Sequence, residues 1–196
     1  MKVQVIHKGA LSYAMIHDFF DPKELEEVRG ELDFLKSRSE YAGPNGDAKD
    51  EDGNSLKSGK GVFVDDLYVG RRKKSATLNH FGKLFNNPLI GKELTKQEAT
   101  FGHIDRCDQD FTLINFYSEG QEYKKHHDTS VLTAAVFLKM GDFSGGDFTF
   151  PEYGERIVFE DNSAVIFPGC VLHHAEPIIA KPGNFRVSIV KFLNYV

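Results

Sequence analysis

Tyr123-Lys124-Lys125-His126-His127-Asp128 is the stretch on which the fold turns. In an extended strand successive side chains leave opposite faces, so His126 and Asp128 share one side and His127 points the other way. A third candidate ligand, His173, stands in Leu172-His173-His174-Ala175-Glu176-Pro177, far enough downstream for several strands to intervene before the chain returns. Two imidazoles and one carboxylate on one side of an ion leave positions open for other molecules, the pattern of non-haem Fe(II) sites, whereas structural zinc sites close four protein ligands around the metal. Such a triad has to be gathered on one face of a barrel of strands.

Each histidine stands in an adjacent pair, so each offers two registers. Only His126 has an acid two places on, since Thr129 follows His127 at that offset, and strand alternation places His173 and His174 on opposite sides. A His-x-Asp alone recurs by chance, and strand-end histidines with a turn aspartate would produce it. What lies downstream separates the two readings. Arg186-Val187-Ser188 sits in a β-rich apolar segment with Arg186 and Ser188 on one face, and a guanidinium fork beside a hydroxyl suits a distal carboxylate. Upstream, Phe111-Thr112-Leu113-Ile114-Asn115-Phe116-Tyr117 alternates in the same way, with Asn115 and Tyr117 on a common side as further hydrogen-bond donors. A metal triad plus a carboxylate clamp describes a pocket for a 2-oxo acid.

Taken in order, Asn115-Phe116-Tyr117-x-x-Gly120-x-x-Tyr123-x-x-His126-x-Asp128, Gly145-Gly146-Asp147-Phe148-Thr149-Phe150-Pro151, His173-x-x-x-Pro177-Ile178 and Gly183-x-x-Arg186-x-Ser188 resemble the 2-oxoglutarate- and Fe(II)-dependent dioxygenase superfamily, in particular its prolyl 4-hydroxylase-like branch. The resemblance implies that His126, Asp128 and His173 bind iron and that Arg186 pairs with the 5-carboxylate of 2-oxoglutarate, assisted by Tyr117 and Ser188, with Asn115 nearby. It implies Fe(II), 2-oxoglutarate and O2 as cofactor and co-substrates, ascorbate as an accessory reductant, and hydroxylation of a proline or similar side chain in a peptide, protein or small molecule, with succinate and CO2 as co-products. The fold implied is a double-stranded β-helix, a cupin-like jelly roll, mainly β with flanking helices. Three departures stand out: collagen-type relatives tend to carry Lys where this chain has Arg186, Ile179-Ala180-Lys181-Pro182-Gly183 lengthens the run from His173 to Arg186, and Phe137 replaces a Tyr common in relatives.

Other readings stay open. AlkB-like nucleic-acid demethylases share the Asn-x-Tyr before the metal motif, but they add a second Arg six positions after the first, where this chain has Phe192. A cupin-like metal-binding barrel without turnover would have no need of Arg186 and Ser188 as an inward pair. An interaction module that has lost turnover would have no need of intact ligands.

Composition is consistent with an oxygenase but does not select it. The 196 residues fit one domain, 1–196, and 40% hydrophobic content with 17 Phe can fill a barrel core. A net charge of −5 argues against a nucleic-acid partner, despite the local cluster Arg71-Arg72-Lys73-Lys74, read as a solvated helix start. Cys107 and Cys170 are too few for a disulfide framework and read as free thiols in a reducing compartment. The opening Met1-Lys2-Val3-Gln4-Val5-Ile6-His7 lacks the apolar stretch of a signal peptide, and no run approaches a membrane span, so the expectation is a cytoplasmic protein without membrane partners.

Along the chain, residues 3–20 read as two strands, and Pro22 opens an amphipathic helix to about Ser37 through Leu25, Val28, Leu32 and Leu35. Residues 38–61, rich in Gly, Asp, Asn and Ser, read as a flexible loop and a substrate lid. Val62-Phe63-Val64 resumes as a strand, and 76–89 carries helical spacing. Strands then follow at 111–117, 131–138, 147–150, 156–159, 164–167, 171–176 and 186–192, the rhythm of a sandwich or jelly roll. Gly145-Gly146 reads as turn chemistry only, Asp147 and Glu152 as surface carboxylates, and Tyr123 as a rim residue able to edge the pocket.

Overall fold

Leu132-Thr133-Ala134-Ala135-Val136-Phe137-Leu138 is too uniformly apolar for one buried face, and such a run belongs in the middle of a sheet covered on both sides. In the computed structural model, which describes residues 1–39 and 47–195, it forms most of β6 (Leu132–Met140), the central strand of a seven-stranded sheet. Antiparallel to it run β10 (Ser163–Pro168) on one side and β13 (Phe185–Asn194) on the other. The sheet continues outward from β10 through β2 (Leu11–His17) to β1 (Lys2–Lys8), and from β13 through β4 (Gln109–Tyr117) to β3 (Lys60–Phe63). A second sheet has the order β5 (Tyr123–His126), β11 (His173–Ala175), β8 (Phe148–Phe150), β9 (Glu155–Ile157). A short pair, β7 (Phe143–Gly145) with β12 (Ile178–Ala180), completes the set.

Strand alternation divides the core into two layers. Leu11, Tyr13, Met15, Ala135, Phe137, Val165 and Phe167 point from the large sheet toward Phe148, Phe150, Ile157 and Ala175 of the small one. Ala14, Ile16, Val136, Leu138, Ile166, Val187 and Ile189 point the other way, onto helices. This is a double-stranded β-helix with helices on its outer face, as the strand rhythm predicts.

The outer helix α1 (Pro22–Ser39) buries Val28, Leu32 and Leu35. Its start is a reciprocal cap: Asp21 Oδ1 accepts from the Lys23 and Glu24 amides at 2.9 Å, and Glu24 Oε2 accepts from the Asp21 amide at 2.9 Å. Pro22 sits at the first helical position, where its missing N–H costs nothing.

Four local expectations need correction. Val64 does not extend a strand: β3 stops at Phe63, and Val64 opens the short helix α2 (Val64–Leu67). The helical segment expected over 76–89 is broken into α3 (Ala76–Phe81) and α4 (Lys83–Asn86), and then α5 (Pro88–Gln97) continues past its expected end. Ser75 caps α3 by accepting from Leu78 N, and Pro88, which has no amide to donate, starts α5. The strands β7 and β12 were not anticipated; three residues each are too few to show a period. Of the loop expected over 38–61, residues 40–46 lie outside the described residues. Residues 47–58 form a small hairpin docked on β5, with Leu56 N bonded to Ala48 O and Lys124 N to Leu56 O, both at 2.9 Å.

Among the described residues no helix is long and apolar enough to cross a membrane. Arg72 is exposed and pairs with Asp65 and Asp110, so the basic cluster is a solvated surface at that position. Both cysteines are free thiols.

Candidate active site

His126 closes β5 and His173 opens β11, and the two are direct cross-strand partners in an antiparallel pair. Opposed residues on one face of such a pair stand about 5 Å apart at Cβ, and the two imidazole centroids here are separated by 4.1 Å. Asp128 follows just beyond the strand end, held by its amide, which donates to Gly169 O at 2.9 Å. Only glycine allows that approach, because a Cβ at Gly169 would lie 2.3 Å from Ser130 O. One ligand atom from each of His126, Asp128 and His173 then falls within 4.8 Å of the others. His126 Nε2 lies 3.8 Å from Asp128 Oδ1, and His173 Nε2 lies 3.5 Å from Oδ2.

The two rings are set up as neutral ligands. His126 Nδ1–H donates to Lys124 O at 2.7 Å and His173 Nδ1–H to Val171 O at 2.9 Å, which leaves each Nε2 lone pair for an ion. Burial pushes the His126 pKa down to about 3 and lowers that of His173 as well, the latter opposed by the Asp128 carboxylate. Aromatic rings close the sides: Tyr123 stacks on His126 at 3.5 Å, while Phe148 and Phe167 pack on His173 at 5.4 and 4.8 Å. Thr133 Oγ1 donates to Asp128 Oδ2 at 2.6 Å, backed by Ser130 Oγ at 2.8 Å. Such partners fix a ligand's orientation, so Thr133→Val is expected to weaken divalent-metal affinity about 10- to 100-fold in an anaerobic titration with the fold intact. Unchanged affinity would make the hydroxyl a packing group only.

The cavity beside the triad is small, about 40 Å³. Asn115, Tyr117 and Ser188 all line it, together with Phe137, whereas Arg186 does not. The register of β4 and β13 pairs Ser188 with Asn115 and Arg186 with Tyr117, which carries the clamp away from the rim strand end at Phe192. Arg186 is 1% exposed, its guanidinium covered by the Tyr117 ring at 4.2 Å. Nη1 donates to Gly146 O at 2.7 Å and Glu176 O at 2.9 Å, whereas Nε and Nη2 are buried with no hydrogen-bond partner. An unpaired buried guanidinium edge is costly and calls for an anion. A carboxylate, which accepts two parallel N–H bonds, fits it.

Two residues read as incidental in the sequence support that guanidinium. Gly146 has a positive φ of 78°, and a Cβ there would meet Ile178 Cγ2 at 2.7 Å and Arg186 Nη1 at 3.1 Å, so it does more than turn the chain. Asp147 is not a surface carboxylate: it is buried, accepts from Arg156 Nε at 2.7 Å and Phe159 N at 2.9 Å, and its carbonyl takes the Glu176 amide. Arg156 Nη2 reaches Glu176 Oε2 at 2.9 Å, which ties together the two segments whose carbonyls hold Arg186. Glu152 is exposed as expected.

Outside the cavity, a cleft of about 500 Å³ is lined by Phe63, Phe111, Phe192 and Tyr123 together with Asp47, His127, Asp128 and Asn194. His127 donates from Nδ1 to Cys170 O, and His174 Nε2 pairs with Glu122, so the second member of each histidine pair is turned away to other partners. Sequence reasoning missed Thr133 and Lys57. Thr133 was detectable as the lone hydroxyl in an apolar strand, in step with Ala135 and Phe137. Lys57 carries no local signal, standing in a polar run and yet buried.

No protein-family model matches the chain, and no curated protein matches its sequence. Solved structures do resemble it. A prolyl-4-hydroxylase from Pseudomonas putida superposes with a TM-score of 0.64 at 14% identity, over 94% of this chain and 92% of that one. The viral collagen prolyl hydroxylase of Paramecium Bursaria Chlorella virus-1, in its 2OG complex, gives 0.54 at 15% identity, over 94% and 96%. At such identity the likeness concerns backbone architecture: the chain has the fold of the prolyl-4-hydroxylase-like double-stranded β-helix proteins.

Proposed function

We propose that the protein is an Fe(II)- and 2-oxoglutarate-dependent dioxygenase that hydroxylates a proline or similar side chain in a peptide or protein. One observation carries the reading: the three-ligand set lines a cavity whose Tyr117 wall covers a buried guanidinium with Nε and Nη2 lacking partners. His126, Asp128 and His173 would hold the ion, and Arg186 the far carboxylate of the co-substrate. A bound Fe(II) supplies dioxygen activation, with one oxygen atom ending in succinate, released with CO2, and the other in the hydroxylated product.

The chain's own residues do the rest. Phe148, Phe167 and Tyr123 exclude water around the imidazoles, and Ser188 and Asn115 offer polar contacts along the cavity. Tyr117 lines the cavity and its ring covers Arg186, which does not line it, so a carboxylate that reaches the guanidinium from the triad has to displace that ring. The Phe-lined outer cleft suits an apolar ring presented to the metal side, and Phe192, which lines it, occupies the place where a demethylase would need a second Arg.

The test is anaerobic titration of 2-oxoglutarate onto Fe(II)-loaded protein, read by the metal-to-ligand charge-transfer absorption. Oxygen is then admitted with proline-containing peptides, with ascorbate present to return oxidised iron to Fe(II). The band, succinate release and a gain of one oxygen on the peptide are expected. Because other divalent ions bind the same donors as well or better, the protein is stripped with chelator first. A fully ferrous sample with no band would end the oxygenase reading, whereas a band without peptide oxidation would remove only the substrate class.

A further inference from the structure

Lys57 is the one lysine that the docked hairpin sends inward, and it is 4% exposed. Its backbone bridges Tyr123, and Ser58 N donates to Glu122 O at 3.0 Å, so this segment runs alongside β5, the strand that carries His126. Nζ donates to Asn115 Oδ1 at 3.0 Å and stands 5.6 Å from the Tyr123 ring, which in turn stacks on His126. An ammonium has donors and no acceptor, so this bond decides which end of the Asn115 amide is oxygen. The Nδ2 donors are thereby left for the cavity that Asn115 lines.

We infer that Lys57 is a positioning residue: it turns the NH2 of Asn115 into the cavity and sets a buried positive charge behind it, so that the cavity receives an anionic group on the triad side as well as at Arg186. The inference rests on the 2-oxoglutarate reading, in which that group is the carboxylate nearer the metal. Two cationic ends match a dicarboxylate better than they match a neutral ligand or a monoacid. Burial works against the ammonium, pulling its pKa down to about 8 with Asp47 opposing, which is the expected cost of holding a charge where no solvent assists it.

The experiment is the same anaerobic titration on Lys57→Met, Asn115→Leu and the double variant, with iron affinity and thermal midpoint measured alongside. Lys57→Met is expected to raise the half-saturating 2-oxoglutarate by about tenfold or more while iron binding holds, and the double variant to be no weaker than Asn115→Leu alone, because both act through one amide. In turnover the KM for 2-oxoglutarate should rise while that for the peptide does not. Asn115→Asp, which keeps the pairing with Lys57 but replaces the donors with a carboxylate oxygen, is expected to lose co-substrate binding and serves if Lys57→Met does not fold. Wild-type half-saturation in Lys57→Met or in Asn115→Asp, or losses that multiply in the double variant, would overturn the inference. Those results require a wild-type band, so they are distinct from failure of the oxygenase reading itself.

Discussion

Asp128→Ala is expected to abolish Fe(II) retention at micromolar metal and, with it, all 2-oxoglutarate-dependent succinate formation, a loss beyond the ~100-fold that supporting residues carry. Asp128 supplies the sole carboxylate among the three clustered ligand groups. Without it two neutral imidazoles face the ion, and neutral nitrogen ligands alone hold a divalent cation weakly and leave its charge uncompensated. The fold should tolerate the change: Asp128 is half-buried, its backbone amide still reaches Gly169 O, and Thr133 keeps Ser130 as a partner. Metal content after gel filtration of ferrous-loaded protein, with circular dichroism to verify folding, decides it. Wild-type iron stoichiometry in the variant would mean that the metal sits elsewhere.

Arg186→Met separates co-substrate binding from metal binding. Truncating one partner of a buried hydrogen-bonded charge pair costs about 2–5 kcal/mol, so 2-oxoglutarate affinity should fall ~10²-fold or more with iron retained. Stability should move little, because the substitution has opposing effects. The Gly146 and Glu176 carbonyls lose a donor, while a buried charge with two unpaired N–H groups disappears, and replacing such a charge with an apolar side chain of similar length is often neutral. The readout is the charge-transfer band on the ferrous variant beside its thermal midpoint. A band of wild-type half-saturation would remove Arg186 as the clamp and require another anion site.

How much of this was legible beforehand depends on how local the physics is. The strand period of two assigns His126 with Asp128, and Arg186 with Ser188, to common faces without any knowledge of the fold; His126 and Asp128 do converge with His173, although Asp128 lies just past the end of β5. The separation of helices α3, α4 and α5 was less visible, because the apolar spacing from Leu78 to Leu84 runs across Gly82 as if unbroken. Asp147 differs for another reason: a Gly-Gly-Asp turn looks solvated until Arg156 of β9 pairs with the carboxylate and the Glu176 amide takes the Asp147 carbonyl.

The sequence by itself determined the long strands and the first helix, the pairing of ligands to faces and the kinds of donor available, since these follow from backbone periodicity and side-chain chemistry. Only the tertiary structure decided that His126 and His173 are cross-strand neighbours, that Arg186 is buried with an unsatisfied edge beneath Tyr117, and that Lys57 reaches Asn115. Those are contacts between residues distant in the chain. They are set by which strands pair and by how much water each group loses, and neither quantity is written in any short stretch of residues.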